Sequence, residues 1–231
     1  MPRKKAVYEA MRQSLRQIQL DQVETYFLHS PDPTTPIEET LSAIQELYLA
    51  GKFKRFGLSN FDAEKLENVY NVCRERGYVL PTVFHGNYSA VARHAESDLF
   101  PLLRKLNIAF YVYSPLAGGF LAKSPEQFEA PNKGRWDPSS EIGKLYNRLY
   151  NRPQLVAALK QWGEAADKAG CTRAALAYRR VRYHSSIKAQ HGDAILIGAS
   201  SKEQLLQTLD CLEDGPLSQE VLPWMTQCGR R

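Results

Sequence analysis

His29 stands where an ionisable ring can do chemistry. It directly follows Val23-Glu24-Thr25-Tyr26-Phe27-Leu28, a short run rich in β-branched and aromatic residues, as a buried strand should be. Ser30-Pro31-Asp32-Pro33 comes next, and two prolines there forbid further ladder hydrogen bonding. The carboxyl end of a buried strand is where a parallel α/β protein places its reacting groups. The alternative is a core histidine whose ring bonds a backbone carbonyl. Other apolar runs also end in polar residues: Ser59-Asn60, His85 to Asn87, Ser114, and Ser200-Ser201. Polar groups at successive strand ends can share one mouth.

Helices must alternate with those strands to hold the tips together. Residues 5–19 put Val7, Met11, Leu15 and Ile18 on one helical face. Pro36 opens a second helix with Glu38 and Glu39 in its first turn, as the helix dipole prefers. Its buried stripe is Ile37, Leu41, Ile44, Leu47 and Tyr48, and Gly51 and Lys52 close it. A strand over 54–60 leads to Asp62, which caps a helix over 63–76 that Gly77 ends. A third strand spans 81–88, a helix 96–106 and a fourth strand 108–113. Residues 120–152 read as a long loop of weak periodicity, and loops of that length are usually functional. Helices over 153–168 and 172–183, a fifth strand over 194–197 and a helix over 203–212 follow. The tail, about 214–231, reads as a surface wrap of a single domain spanning 1–231.

The alternation predicts a βα series around a parallel sheet. Roughly five units are present, whereas eight close a barrel. The 231 residues, 43% hydrophobic and 24% charged, describe an ordinary globular chain. A net charge of +5, with basic residues dispersed, argues against a nucleic-acid partner and suits a pocket for an anionic ligand. Cys73, Cys171, Cys211 and Cys228 are widely spaced, so a zinc site is not expected and reduced thiols are. No signal peptide or apolar span of about 20 residues is read, and the expectation is a cytoplasmic protein without a membrane partner.

Four segments in order resemble the aldo-keto reductases: YFLHSPD (26–32), GKFKRFGLSNF (51–61), FYVYSPLAGG (110–119) and AILIGASSKEQL (194–205). The PLAGG turn, HGDAILIGASS (191–201) and GPL (215–217) are most similar to the aflatoxin-aldehyde reductase branch. The resemblance implies a (β/α)8 TIM barrel, N-terminally truncated to about its last five βα units. It further implies NADPH-dependent reduction of aldehydes or ketones, in reactive-aldehyde detoxification or secondary-metabolite tailoring. His29 matches the histidine that orients the substrate carbonyl. Ser59 and Asn60 match the pair that bonds the nicotinamide amide, and Tyr113 matches the aromatic stacked on its ring. Ser114, Pro115, Leu116, Gly118 and Gly119, with Lys123, match the pyrophosphate loop. Ser200, Ser201 and Gln204 match the adenosine 2′-phosphate end. Arg135 and Arg148 resemble phosphate- and substrate-facing arginines.

Two positions depart from the family pattern: His85 replaces a nicotinamide-contacting glutamine, and Thr208 an asparagine. A larger departure is that the family's catalytic aspartate, tyrosine and lysine lie on three earlier strands with no counterpart here. Three readings follow. The sequence lacks the N-terminal part of a reductase; or it is a catalytically dead remnant acting as a binding or regulatory partner; or a substitute acid (Tyr26, Tyr88 or Tyr113) or an assembly restores activity. The first is preferred, with the isolated chain weak or inactive. Unpaired sheet edges would favour association, including with copies of itself.

Overall fold

The computed structural model describes residues 3–129 and 134–223. Five strands alternate with helices in the order α1 (Arg3–Ile18), β1 (Val23–Leu28), α2 (Ile37–Leu49), β2 (Phe53–Ser59), α3 (Ala63–Arg76), β3 (Pro81–Asn87), α4 (Leu99–Lys105) and β4 (Ala109–Tyr113). Then come α5 (Pro125–Glu129), α6 (Glu141–Tyr150), α7 (Pro153–Lys168), α8 (Arg173–Tyr183), β5 (Ala194–Ile195) and α9 (Lys202–Glu213). The sheet order is β1-β2-β3-β4-β5, and β1 with β2 and β2 with β3 pair in parallel. Consecutive strands as neighbours are what a βα series produces, each helix carrying the chain back to start the next strand.

Contacts group the chain into two compact units: Met1–Gly86 with Ser97–Tyr111, and Asn87–Glu96 with Val112–Arg231. In the first unit, the helix-facing side of the sheet is a dry layer of Phe56, Leu58, Phe84 and Phe110. Phe84 and Phe110 stack at 5.7 Å, and Phe110 meets Phe100 of α4 at 4.8 Å. On the other side, Phe27 lies across Gly57 so closely that any Cβ there would collide with its ring. The close pass needs glycine in the middle of β2, where a glycine otherwise weakens a strand. Local signals fix α3: Asp62 accepts from the Lys65 N–H at 2.8 Å, and Gly77 ends the helix at φ 65°.

The second unit is mostly helical. Its core joins Phe120, Trp136, Tyr150, Leu159, Trp162 and Leu176 with Leu217 and Val221. Residues 120–152, expected to be loop, instead hold α5, α6 and short 3₁₀ turns at Ala117–Ala122 and Gly134–Trp136. Ser140 caps α6 by accepting from the Gly143 N–H at 3.0 Å. Tyr146 and Tyr150, four residues apart on one face, stack inward at 6.3 Å. The fifth strand is two residues rather than four; it joins β4 through the Leu196 N–H to the Val112 carbonyl at 2.9 Å. The tail is more than a surface wrap, because Leu217 and Val221 are buried; its residues 224–231, with Cys228, lie outside the described residues.

Cys73, Cys171 and Cys211 are free thiols, and burial pushes Cys73 up to about 12. Among the described residues no helix is long and apolar enough to cross a membrane.

Candidate functional site

In the first unit the tips of β1, β2 and β3 converge. Ser59 pairs in register with His85 on β3, which sets their side chains on the same face of adjacent strands. Asn60, one residue on, takes a left-handed φ of 61°, a region that asparagine tolerates better than other non-glycine residues. The turn aims its amide back at the neighbouring tip: Nδ2 donates to the His29 carbonyl at 2.8 Å and to Ser59 Oγ at 3.1 Å. Ser59 is buried, at 1% exposure, whereas His29 and Asn60 are open to solvent. With its lone pair engaged, the Ser59 hydroxyl keeps its hydrogen available to donate.

His85 is half-buried, its ring 5.6 Å from that of Phe27. Burial, and then the charge of His29, holds it below the ordinary histidine range. A neutral imidazole offers one donor and one acceptor, the same pair a glutamine amide presents, although with shorter reach.

In the second unit a tight corner follows β4. Tyr113 is half-buried, and burial, then the nearby Tyr146 hydroxyl, pushes its phenol up. Ser114 and Ala117 have φ of 55° and 51°, followed by Gly118 at 69° and Gly119 at 94°. Four left-handed residues in six turn the backbone on itself: the Ala117 N–H donates to the Ser114 carbonyl at 2.8 Å, and the Gly119 N–H to the Leu116 carbonyl at 3.0 Å. Pro115 is buried and Leu116 half-buried. A Cβ on Gly118 would come within 2.5 Å of the Tyr146 ring, so side chain and corner fit only with glycine there. The Trp136 Nε1–H donates to the Gly118 carbonyl at 2.9 Å. Lys123 sits 5.8 Å from the Phe128 ring centroid and 5.6 Å from that of Trp136, and burial lowers its ammonium's pKa.

The candidate phosphate end, Ser200-Ser201, starts α9 as expected, but its bonds are local. Ser201 Oγ accepts from the Gln204 N–H at 3.2 Å, and Gln204 Oε1 accepts from the Ser200 N–H at 3.1 Å and its hydroxyl at 2.8 Å. This is nearly a capping box, with the glutamine reaching one residue further back. Thr208 donates its hydroxyl to the Gln204 carbonyl at 2.8 Å. Arg135 and Arg148 are exposed, and among the described residues neither bonds to the corner.

The three tyrosines weighed as substitute acids share one property. Burial raises Tyr26, Tyr88 and Tyr113 alike, which moves a phenol away from the operating pH of a general acid. Tyr88 moreover donates to Glu96 Oε1 at 2.5 Å. Trp136, Tyr146 and Tyr150 escaped the sequence reading although they cradle the corner. Tyr146 and Tyr150 lie on an apolar stripe with Ile142, Leu145 and Leu149 at helical spacing after Ser140, a signal that could have found α6.

The family model described as "Aldo/keto reductase family" matches residues 2–230. The chain is 42% identical over 217 residues to the oxidoreductase sirO of Leptosphaeria maculans, covering 94% of this chain and 66% of that protein. It is 37% identical over 230 residues to human aflatoxin B1 aldehyde reductase member 2, covering 96% and 64%. With the aldo-keto reductase pigE of Monascus ruber it shares 32% over 213 residues, covering 90% and 62%. The chain thus spans somewhat under two thirds of the length of these relatives.

Proposed function

This chain belongs to the aldo/keto reductase family, and we propose that its strand tips grip NADPH for reduction of aldehydes or ketones to alcohols. The observation that carries the reading is the junction at Asn60, where one side chain ties the His29 tip to Ser59. That bond ties the His29 backbone, a serine hydroxyl and an amide together at the carboxyl ends of adjacent strands, which limits the ordering that binding must supply. Ser59 would donate to the nicotinamide carboxamide, with Asn60 and the His85 ring as polar groups beside it. Tyr113 provides a flat face for a ring, and the corner at Gly118 lets backbone approach a diphosphate where a side chain would block it. The N-terminus of α9, with Ser200, Ser201 and Gln204, suits the 2′-phosphate. When bound, the dinucleotide would supply a hydride to the carbonyl carbon. His29 would hold the carbonyl oxygen, and Arg148 would steer an anionic substrate.

An aldehyde is the favoured substrate class, supported by the naming of the human relative for an aflatoxin aldehyde. Detoxification of reactive aldehydes and tailoring of a secondary metabolite both fit that chemistry. The resemblance implies that the family's catalytic aspartate, tyrosine and lysine lie on strands without a counterpart in these 231 residues, and on that reading their turnover alone is expected to be slow. General acid–base catalysis contributes about 10²–10⁴ in rate.

Binding and turnover are therefore tested separately. Calorimetric titration of the chain with NADPH and NADH is expected to show binding, tighter for NADPH; no binding of either overturns the reading. A 4-nitrobenzaldehyde assay following NADPH oxidation then measures the rate.

A further inference from the structure

We propose that Trp136 is a positioning residue for the diphosphate of the dinucleotide, setting the Gly118 corner and the Lys123 ammonium from a single indole ring. The inference rests on the cofactor reading above and goes beyond it, because Trp136 itself has no assigned role there.

Among that ring's contacts, three bear on the corner and its cation. Its Nε1–H donates to the Gly118 carbonyl at 2.9 Å. Its face lies 5.6 Å from Lys123 Nζ, which Phe128 also faces at 5.8 Å. The ring also stacks on Tyr146 at 5.5 Å and 29°, the residue whose own ring occupies the space a Gly118 Cβ would need. The Asn147 amide donates to the Trp136 carbonyl at 3.2 Å and to the Gly143 carbonyl at 2.9 Å, anchoring the short turn to α6.

A buried tryptophan usually finds some partner for its N–H, and one such bond alone would mean only that. Here the partner is the carbonyl of a glycine at φ 69°, and the same ring steadies a cation five residues later in the chain. The two features that suit a diphosphate, backbone open to close approach and a positive charge, thereby share one support. Trp136 is 4% exposed, so the support is not displaced by solvent. An ammonium held against aromatic faces is partly desolvated, which strengthens its attraction to an arriving anion.

The test compares ligands with and without a diphosphate on the 231-residue chain. Trp136→Phe keeps an aromatic ring but loses the N–H. It is expected to weaken NADP⁺ binding by about five- to tenfold, while 2′-AMP binding stays within about twofold. Lys123→Met should weaken NADP⁺ similarly, and the double variant should be less than additive, because both changes act on one contact. If Trp136→Phe has no cooperative melt, Phe128→Leu replaces it, with an expected loss of about two- to threefold for NADP⁺ alone. Unchanged NADP⁺ binding, or equal losses for both ligands, overturns the proposal while leaving the cofactor reading intact. A wild-type chain that binds no NADP⁺ overturns both.

Discussion

Two polar strand tips in this chain have nearly the same composition and opposite commitments. Ser59-Asn60, at the end of β2, reaches 31 positions back to the His29 carbonyl. Ser200-Ser201, before α9, bonds forward into that helix: the two serines meet Gln204 four and three residues on, and the Ser201 carbonyl accepts from the Leu205 N–H. A tip tied to a distant strand has its geometry set by the sheet. A tip tied to its own helix has its geometry set by the helix end and can be read from a few letters. The corner at Gly118 resembles the first kind, because Trp136 and Tyr146 come from 18 and 28 positions away. Function in this family member is therefore expected to be most sensitive where local sequence is least informative.

The largest effect is expected at the corner. Gly118→Ala puts a methyl into the Tyr146 ring and forces a non-glycine residue to φ 69°. The cost should be about 2–3 kcal/mol in a urea denaturation, with NADP⁺ affinity falling more than about tenfold as the corner shifts. A loss below about 0.5 kcal/mol would mean that the Tyr146 ring gives way freely.

Asn60 should come next. Asn60→Ala removes the bond to His29 and leaves an alanine at φ 61°, for about 1–2 kcal/mol. Asn60→Gly separates the causes, since glycine accepts the backbone but not the bond. If the glycine variant is as stable as wild type, the bond to His29 contributes nothing and the comparison of tips loses its basis. Ser201→Ala, by contrast, should cost about 0.5–1 kcal/mol, because its cap is exposed and water can replace it. The difference between the two positions sharpens with NADP⁺: Asn60→Ala should lower affinity about tenfold. An equal response at both sites would break the distinction.

Legibility followed the same division. The bounds of α3 could be read directly, because Asp62 and Gly77 act on their own helix. The strand tips at 29, 59 and 85 were legible as a set, since apolar runs ending in polar residues survive without knowledge of packing. The 120–152 stretch was not. Ile142, Leu145, Tyr146, Leu149 and Tyr150 recur there at helical spacing, but Ile142, Leu145 and Leu149 are exposed while Gly143 and Tyr150 are buried, so the side of α6 that meets Trp136 could not be read from the pattern. Leu217 and Val221 likewise sit among prolines and polar residues, and only the core they enter explains their burial. The short β5 had the letters of a longer strand, but among the described residues one bond to β4, from Leu196, continues it beyond Ile195.

The smallest expected effect concerns acid. His85 is held below the ordinary histidine range by burial and by His29, so the unfolded chain takes up its proton first as pH falls. Stability is thus complete above the unfolded value of about 6.5 and declines as pH drops from there through the lowered folded value. His184 has the same sign, through burial and then Arg180, Arg179 and Lys188, so both rings contribute to the slope. His85→Gln should flatten part of the decline between about pH 6.5 and 5 in a thermal-melt series, while a His184 variant flattens the rest. His85 lies against Phe27 at a tip organised by distant contacts. His184 instead accepts the Leu217 N–H at 2.8 Å, a bond that protonation of Nε2 would remove. The His184 share should therefore be the larger of the two, and a His85→Gln profile identical to wild type would mean that the ring escapes to water before it titrates.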